Sequence, residues 1–153
     1  MSQIEIKELI NVDAERVFAM LLDTGALVKM FSVVRSVKEI GRSLNDDGTE
    51  ETRCRISGGF NMINLDVDVV QRVDRAGRVL VSELSGSLLK AMTVRIEVTP
   101  EGERFCEATF NIDYEFGLLS PLRLVVNKPL LDLAVDGYMR KIARRASRLT
   151  VAV

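Results

Sequence analysis

Over most of the chain, apolar and polar residues alternate with the two-residue period of a half-buried strand. Ile4 to Ile10 alternates apolar with charged residues. Val33 to Ile40 reads as a second strand, which Gly41 is expected to end. From Glu50 strand follows strand. Thr52, Cys54 and Ile56 alternate with Glu51, Arg53 and Arg55, and Ile63, Leu65, Val67 and Val69 alternate with Asn64, Asp66 and Asp68. Further strands are predicted from Arg78 to Ser85, Met92 to Val98 and Cys106 to Phe116. Asn45-Asp46-Asp47-Gly48, Gly58-Gly59, Asp74-Arg75-Ala76-Gly77 and Pro100-Glu101-Gly102 supply turn or bulge signals between or within them. The pattern is an antiparallel meander with one apolar face and one wet face.

Helical spacing interrupts this pattern twice. After the first strand, Asp13 is placed to cap a short helix with Val17, Phe18, Leu21 and Leu22 on its apolar side. Asp23-Thr24-Gly25 breaks it, and Ala26 to Met30 reads as a second short helix. The last stretch, Pro129 to about Thr150, reads as a long amphipathic helix. Leu131, Val135, Tyr138, Ile142 and Leu149 recur at spacings that keep them on one face, widened by Ala134, Met139 and Ala146. Asp132, Asp136, Arg140, Arg144 and Ser147 occupy the other side. Ser120-Pro121 offers an earlier helix start, with a break at Pro129. The order is strand, two short helices, about six strands and one long helix. The apolar face of the sheet needs a cover, and the final helix is the element long enough to provide it.

At 153 residues the chain has the usual size of one domain, read as spanning 1–153. The formal net charge of −1 argues against a nucleic-acid footprint over the whole surface. Positive charge gathers only at the chain's end, in Arg140, Lys141, Arg144, Arg145 and Arg148. There it complements the negative end of the helix dipole. It also offers a place for a partner protein or a membrane surface. Cys54 and Cys106 form no CxxC pattern, which leaves no disulfide framework or zinc site. The opening residues carry no apolar leader, and Leu118 to Leu133 is broken by Arg123, Lys128 and Asp132. No integral membrane segment is expected, and a cytoplasmic location is. The sequence contains no histidine, which excludes Ser-His-Asp and Cys-His catalysis and any histidine metal site.

The segment Val12-Asp13-Ala14-Glu15-Arg16-Val17-Phe18-Ala19-Met20-Leu21-Leu22-Asp23, with the element order around it, resembles the helix-grip superfamily. This is the START-like or SRPBCC group that includes the birch pollen allergen. Many members open with a strand followed by Pro-Ala-Glu-Arg-Val-Trp-x-x-Leu-x-Asp. Here Asp13 stands at the proline and Phe18 at the tryptophan. Leu27 to Phe31 resembles the following Leu-x-x-Trp segment, with Met30 near the aromatic position. Within the superfamily the chain looks most like two families, the carbon monoxide dehydrogenase G-subunit family and the polyketide cyclase/dehydrase/lipid-transport family. The resemblance implies an α+β helix-grip fold, a curved antiparallel sheet of about seven strands wrapped around the C-terminal helix. It also implies an elongated cavity between the two, usually holding a hydrophobic ligand. The matching motifs are structural, so they speak to fold more than to function.

On this reading the candidate lining residues from the sheet are Cys54, Met92, Phe110, Tyr114 and Phe116, with Cys106 on the same face. The helix adds Leu131, Val135, Tyr138, Ile142 and, at the mouth, Arg145. Such apolar stripes also serve as plain core. A mostly apolar pocket with a few polar handles is equally the usual composition of a small-molecule site. Gly137, within the helix, reads either as a close-packing position or as room for a ligand. A cyclase or dehydratase needs a proton donor or acceptor in the pocket. Tyr114 and Tyr138 are the available acids, and Glu83 is a base of ambiguous parity. No base–nucleophile pair is legible. No cofactor, metal or nucleic acid is expected. The expected partner is a hydrophobic small molecule or lipid, and the chain is expected to be a monomer or homodimer.

Overall fold

The computed structural model describes residues 2–23, 34–60, 63–86, 89–116 and 127–148. Strand β1 (Ser2–Ile10) is followed by helix α1 (Ala14–Leu21). Six strands come next: β2 (Val34–Leu44), β3 (Glu50–Phe60), β4 (Ile63–Asp74), β5 (Val79–Gly86), β6 (Ala91–Pro100) and β7 (Cys106–Glu115). Helix α2 (Lys128–Arg148) closes the described chain. The second short helix expected at Ala26 to Met30, the start signal at Ser120-Pro121, and Leu149 lie outside the described residues.

All seven strands form one antiparallel sheet in the order β1-β7-β6-β5-β4-β3-β2. The strands from β2 to β7 pair each with the next, as tight turns favour. β1 then pairs with β7, Ile4 opposite Ile112 and Ile10 opposite Cys106. The alternation in the sequence becomes two faces. Ile6, Val73, Leu80, Ile96, Val98, Phe110 and Ile112 point to the covered side and belong to one core cluster. The opposite face carries ion pairs such as Arg55–Asp68 and Arg72–Glu83.

The expected stop at Gly41 does not occur, and β2 runs on to Leu44. Its pairing with β3 shifts register between Glu39 and Gly41, and again between Val34 and Ser36. β2 is an edge strand, largely exposed, and a Cβ at Gly41 would meet nothing within 4 Å. A glycine there bulges the edge rather than ending it, and bulges with charged side chains guard an edge against pairing with another chain. At Gly58-Gly59 the β3–β4 ladder continues without a break.

Helix α1 begins where Asp13 accepts a hydrogen bond from the Arg16 backbone N–H at 3.1 Å. That N-cap bond satisfies one of the unpaired donors of the first turn. Helix α2 starts similarly. The Asn127 side chain accepts from the Leu130 backbone N–H at 3.0 Å, and Pro129 in the first turn has no N–H to leave unpaired. α2 packs against α1 and β1. It buries Val135, Met139, Ile142 and Ala146, while α1 contributes Val17, Phe18 and Leu21 to the same core.

Candidate ligand-binding site

Space remains between α2 and the middle of the sheet. It is a cavity of about 350 Å³. From α2 it is lined by Leu131, Ala134, Val135 and Tyr138, which recur at helical spacing on one side of the first half of that helix. Leu21 reaches it from the end of α1. The sheet supplies Ile56 from β3, Val69 and Gln71 from β4, Leu80, Ser82 and Leu84 from β5, and Met92, Val94 and Ile96 from β6. Phe110 and Ile112 of β7 line it as well. These sheet residues share the inner face because pairing is in register: Gln71 opposes Ser82, Ser82 opposes Val94, and Val94 opposes Ile112.

Among the described residues the lining contains no Asp, Glu, Lys or Arg. Its polar side chains are Gln71, Ser82 and Tyr138. Burial pushes the Tyr138 hydroxyl up to about 12, so it is protonated at neutral pH and suited to donate a hydrogen bond. The volume lies at the small end of the range for small-molecule sites. A second concavity, about 400 Å³, lies elsewhere, lined by Asn11, Val12, Asp13, Arg16, Glu103, Arg104 and Ser147. It is charged and crossed by the Asp13–Arg16 ion pair at 2.6 Å, so it does not offer an apolar body a place.

Of the residues singled out from sequence, Met92, Phe110, Leu131, Val135 and Tyr138 meet at the cavity. Cys54 is buried opposite Val69 and is not part of the lining. Tyr114 and Phe116 meet at a tilt, ring centroids 5.3 Å apart, and neither is among the lining residues. Ile142 is fully buried in the core one turn past Tyr138, where α2 meets α1 and β1. Arg145 is half-buried nearly two turns beyond Tyr138 and does not line the cavity. The physical reason is common to both. A helix advances about 1.5 Å per residue, and the space under α2 lies only beneath its first half.

Glu83 points away from the cavity, because its neighbour Ser82 points in. It is exposed and paired with Arg72 at 2.8 Å. Asp68 is likewise on the outer face, 2.9 Å from Arg55. Gly137 lines no part of the cavity, and a Cβ there would meet nothing within 4 Å, so neither sequence reading of it describes its surroundings. Both cysteines are free and buried. Burial, with Asp13 nearby, pushes the Cys106 thiol up to about 11, which makes it inert at neutral pH. Among the described residues no group of His, Cys, Asp or Glu is arranged to hold a metal ion. No described helix is long and apolar enough to cross a membrane.

A family model described as polyketide cyclase / dehydrase and lipid transport matches residues 1–149. The chain belongs to this family. No curated protein matches the sequence. Among solved structures, TTHA0849 from Thermus thermophilus superposes with a TM-score of 0.77 at 16% identity, covering 97% of this chain and 99% of that one. The Zhui aromatase/cyclase from Streptomyces sp. R1128 gives 0.74 at 13% identity, covering 96% and 94%. A START superfamily protein from Mycobacterium smegmatis gives 0.72 at 13%, covering 96% and 98%. These likenesses establish the START-like helix-grip fold, with its seven-stranded sheet, short helix after the first strand and long C-terminal helix.

In this member of the polyketide cyclase/dehydrase and lipid-transport family, sequence reasoning missed the polar lining of the central strands. Gln71 lies between Val69 and Val73 in the alternation, and Ser82 between Leu80 and Leu84. In the folded sheet both fall on the apolar face, paired with each other. A polar residue at an inward position of a strand was the available signal.

Proposed function

We propose that the chain binds a hydrophobic small molecule or lipid in the cavity between sheet and C-terminal helix. The observation that carries this reading is the lining itself, which among the described residues consists of apolar side chains with three uncharged polar groups and no charged side chain. Family membership supports it at the coarser level of hydrophobic ligand binding or a cyclase-like role. The chain acts, on this reading, as one domain over 1–153 in the cytoplasm, with Met92, Phe110, Leu131, Val135 and Tyr138 among the contacts. Native mass spectrometry of the gently purified protein, followed by organic extraction, tests it. A stoichiometric apolar adduct is expected, and failure to take up any apolar compound from a panel of small lipids, polyketides and isoprenoids would overturn it.

One observation favours a second reading, a polyketide cyclase/dehydrase-like enzyme. Tyr138 lines the cavity, and burial keeps its hydroxyl protonated at neutral pH, the state that a proton donor to a polyketide carbonyl needs. A donor alone, without a base among the described lining residues, fits binding better than catalysis. A role in metalloenzyme assembly or at a membrane surface, like that of the carbon monoxide dehydrogenase G-subunit family, would use the far end of α2. Arg144 and Arg148 are exposed there. Sedimentation with anionic vesicles, compared at low and high salt, measures that role.

A further inference from the structure

Across the central strands β3 to β6, the inner face of the sheet is apolar except at Glu50 and along one row. Thr52 of β3 pairs with Gln71 of β4, which pairs with Ser82 of β5. The rows beside it are Cys54, Val69, Leu84 and Met92 on one side, and Val73, Leu80 and Ile96 beyond Glu50 on the other. Paired residues on one face stand about 4.5–5.5 Å apart at Cβ, so Gln71 and Ser82 present their polar groups together. Both line the cavity. Ser82 is only 9% exposed and is the one buried polar residue among those described. Neither its hydroxyl nor the Gln71 amide has a hydrogen-bond partner among the described residues.

Neither group is sealed from solvent, so water in the cavity supplies the hydrogen bonds that the protein does not. Here the open side of both groups is the cavity. Whatever fills the cavity must replace the hydrogen bonds of the water it displaces. The charge of that occupant is also constrained. Gln71 borders a small polar cleft whose cations are already neutralised, Arg42 by Glu39 and Arg75 by Glu50, each at 2.9 Å. An anionic head at this end would find no uncommitted cation among the described residues of that cleft.

We propose that Gln71 and Ser82 form a hydrogen-bonding subsite that selects an uncharged ligand carrying a hydroxyl or carbonyl at one end of an apolar body. This rests on the binding reading above and names its ligand class. The neutral fluorescent probe N-phenyl-1-naphthylamine reports cavity occupancy, and 1-decanol, 1-chlorodecane and decanoate compete for it at pH 8. In the natural chain 1-decanol displaces the probe at about tenfold lower concentration than 1-chlorodecane, and decanoate is the weakest. In the Gln71→Leu/Ser82→Ala variant the ratio between 1-decanol and 1-chlorodecane, each measured against the probe's own affinity for that variant, falls to about one.

Failure of the probe to bind the natural chain would sink the binding reading itself. Probe binding with equal displacement by 1-decanol and 1-chlorodecane, or an advantage unchanged in the variant, overturns the subsite alone. Should the double variant not fold, Ser82→Ala by itself must lose part of the 1-decanol advantage. No loss there has the same overturning force.

Discussion

The Glu83 carboxylate accepts a hydrogen bond from the Arg72 guanidinium at 2.8 Å, on the face of the sheet opposite the cavity. Strand parity fixes this. With Ser82 buried beneath the sheet, Glu83 must stand above it. The carboxylate that sequence parity left open as a base is therefore a surface partner of Arg72. Glu83→Gln is expected to leave probe binding in the cavity unchanged and to lower stability by less than about 1 kcal/mol, as exposed ion pairs do. Probe titration and urea unfolding of the variant check both halves. A loss of binding beyond about threefold, roughly 0.6 kcal/mol, would contradict the placement.

Tyr138 makes a second prediction, in pH. Burial raises its hydroxyl from the ordinary 10.0 to about 12. The folded state thus holds its proton where the unfolded chain releases it. Stability from this group is fully present below about pH 10 and is lost as the pH rises towards 12. Cys106, raised from 9.0 to about 11, acts in the same direction over a lower window. Urea midpoints are expected to fall between about pH 9 and 12. Tyr138→Phe removes the upper part of that fall and abolishes the tyrosinate absorbance transition near pH 12. If the transition persists in Tyr138→Phe, burial of this hydroxyl is not its cause.

Ala134 tests the cavity by obstruction. It lines the space yet is exposed, so it stands at the opening rather than in the packed core. Ala134→Trp is expected to reduce probe affinity at least tenfold while the unfolding midpoint moves little. Enlarging Val135 would confound this result, because Val135 belongs to the core as well as the lining. Overpacking a core carries its own cost of about 1–3 kcal/mol. Unchanged affinity in Ala134→Trp would mean that the ligand enters elsewhere.

Element type was legible in the sequence because its signal is local. Alternation in Met92 to Val98 and the spacing of Leu131, Val135 and Tyr138 are properties of neighbouring residues. The pairing of β1 with β7 was not, since Ile4 and Ile112 meet across more than a hundred residues and many equally apolar strands could have served. The site divides in the same way. Parity and helical spacing correctly put Phe110 and Tyr138 on the covered side, but covered does not mean next to open space. Ile142 has the same periodicity as Leu131 and lies in solid core, because the gap is set by where α1 and β1 press against α2. The strand beyond Gly41 was missed because a glycine in an exposed, bulged edge strand bears no packing load.

Two glycines separate conformational need from mere tolerance. Gly86, at the end of β5, faces the neighbouring strand so closely that a Cβ would stand 2.5 Å from the Asp66 carbonyl oxygen. That oxygen is backbone and cannot swing aside. Gly86 also donates its N–H to the Leu89 carbonyl at 2.9 Å, tying the chain down locally. Gly86→Ala must push β4 and β5 apart at a point where Val67 pairs with Gly86, at a cost of about 1–3 kcal/mol. Gly137, in the middle of α2, would meet nothing with an added Cβ. There alanine only removes the entropy penalty of glycine in a helix, a gain of about 1 kcal/mol. For a chain of this size the thermal midpoint should rise by roughly 2–4 °C in Gly137→Ala, with probe binding unaltered. It should fall by at least as much in Gly86→Ala. Calorimetry of the two variants side by side decides the matter, and a destabilised Gly137→Ala would mean that something packs on that face of α2 in solution.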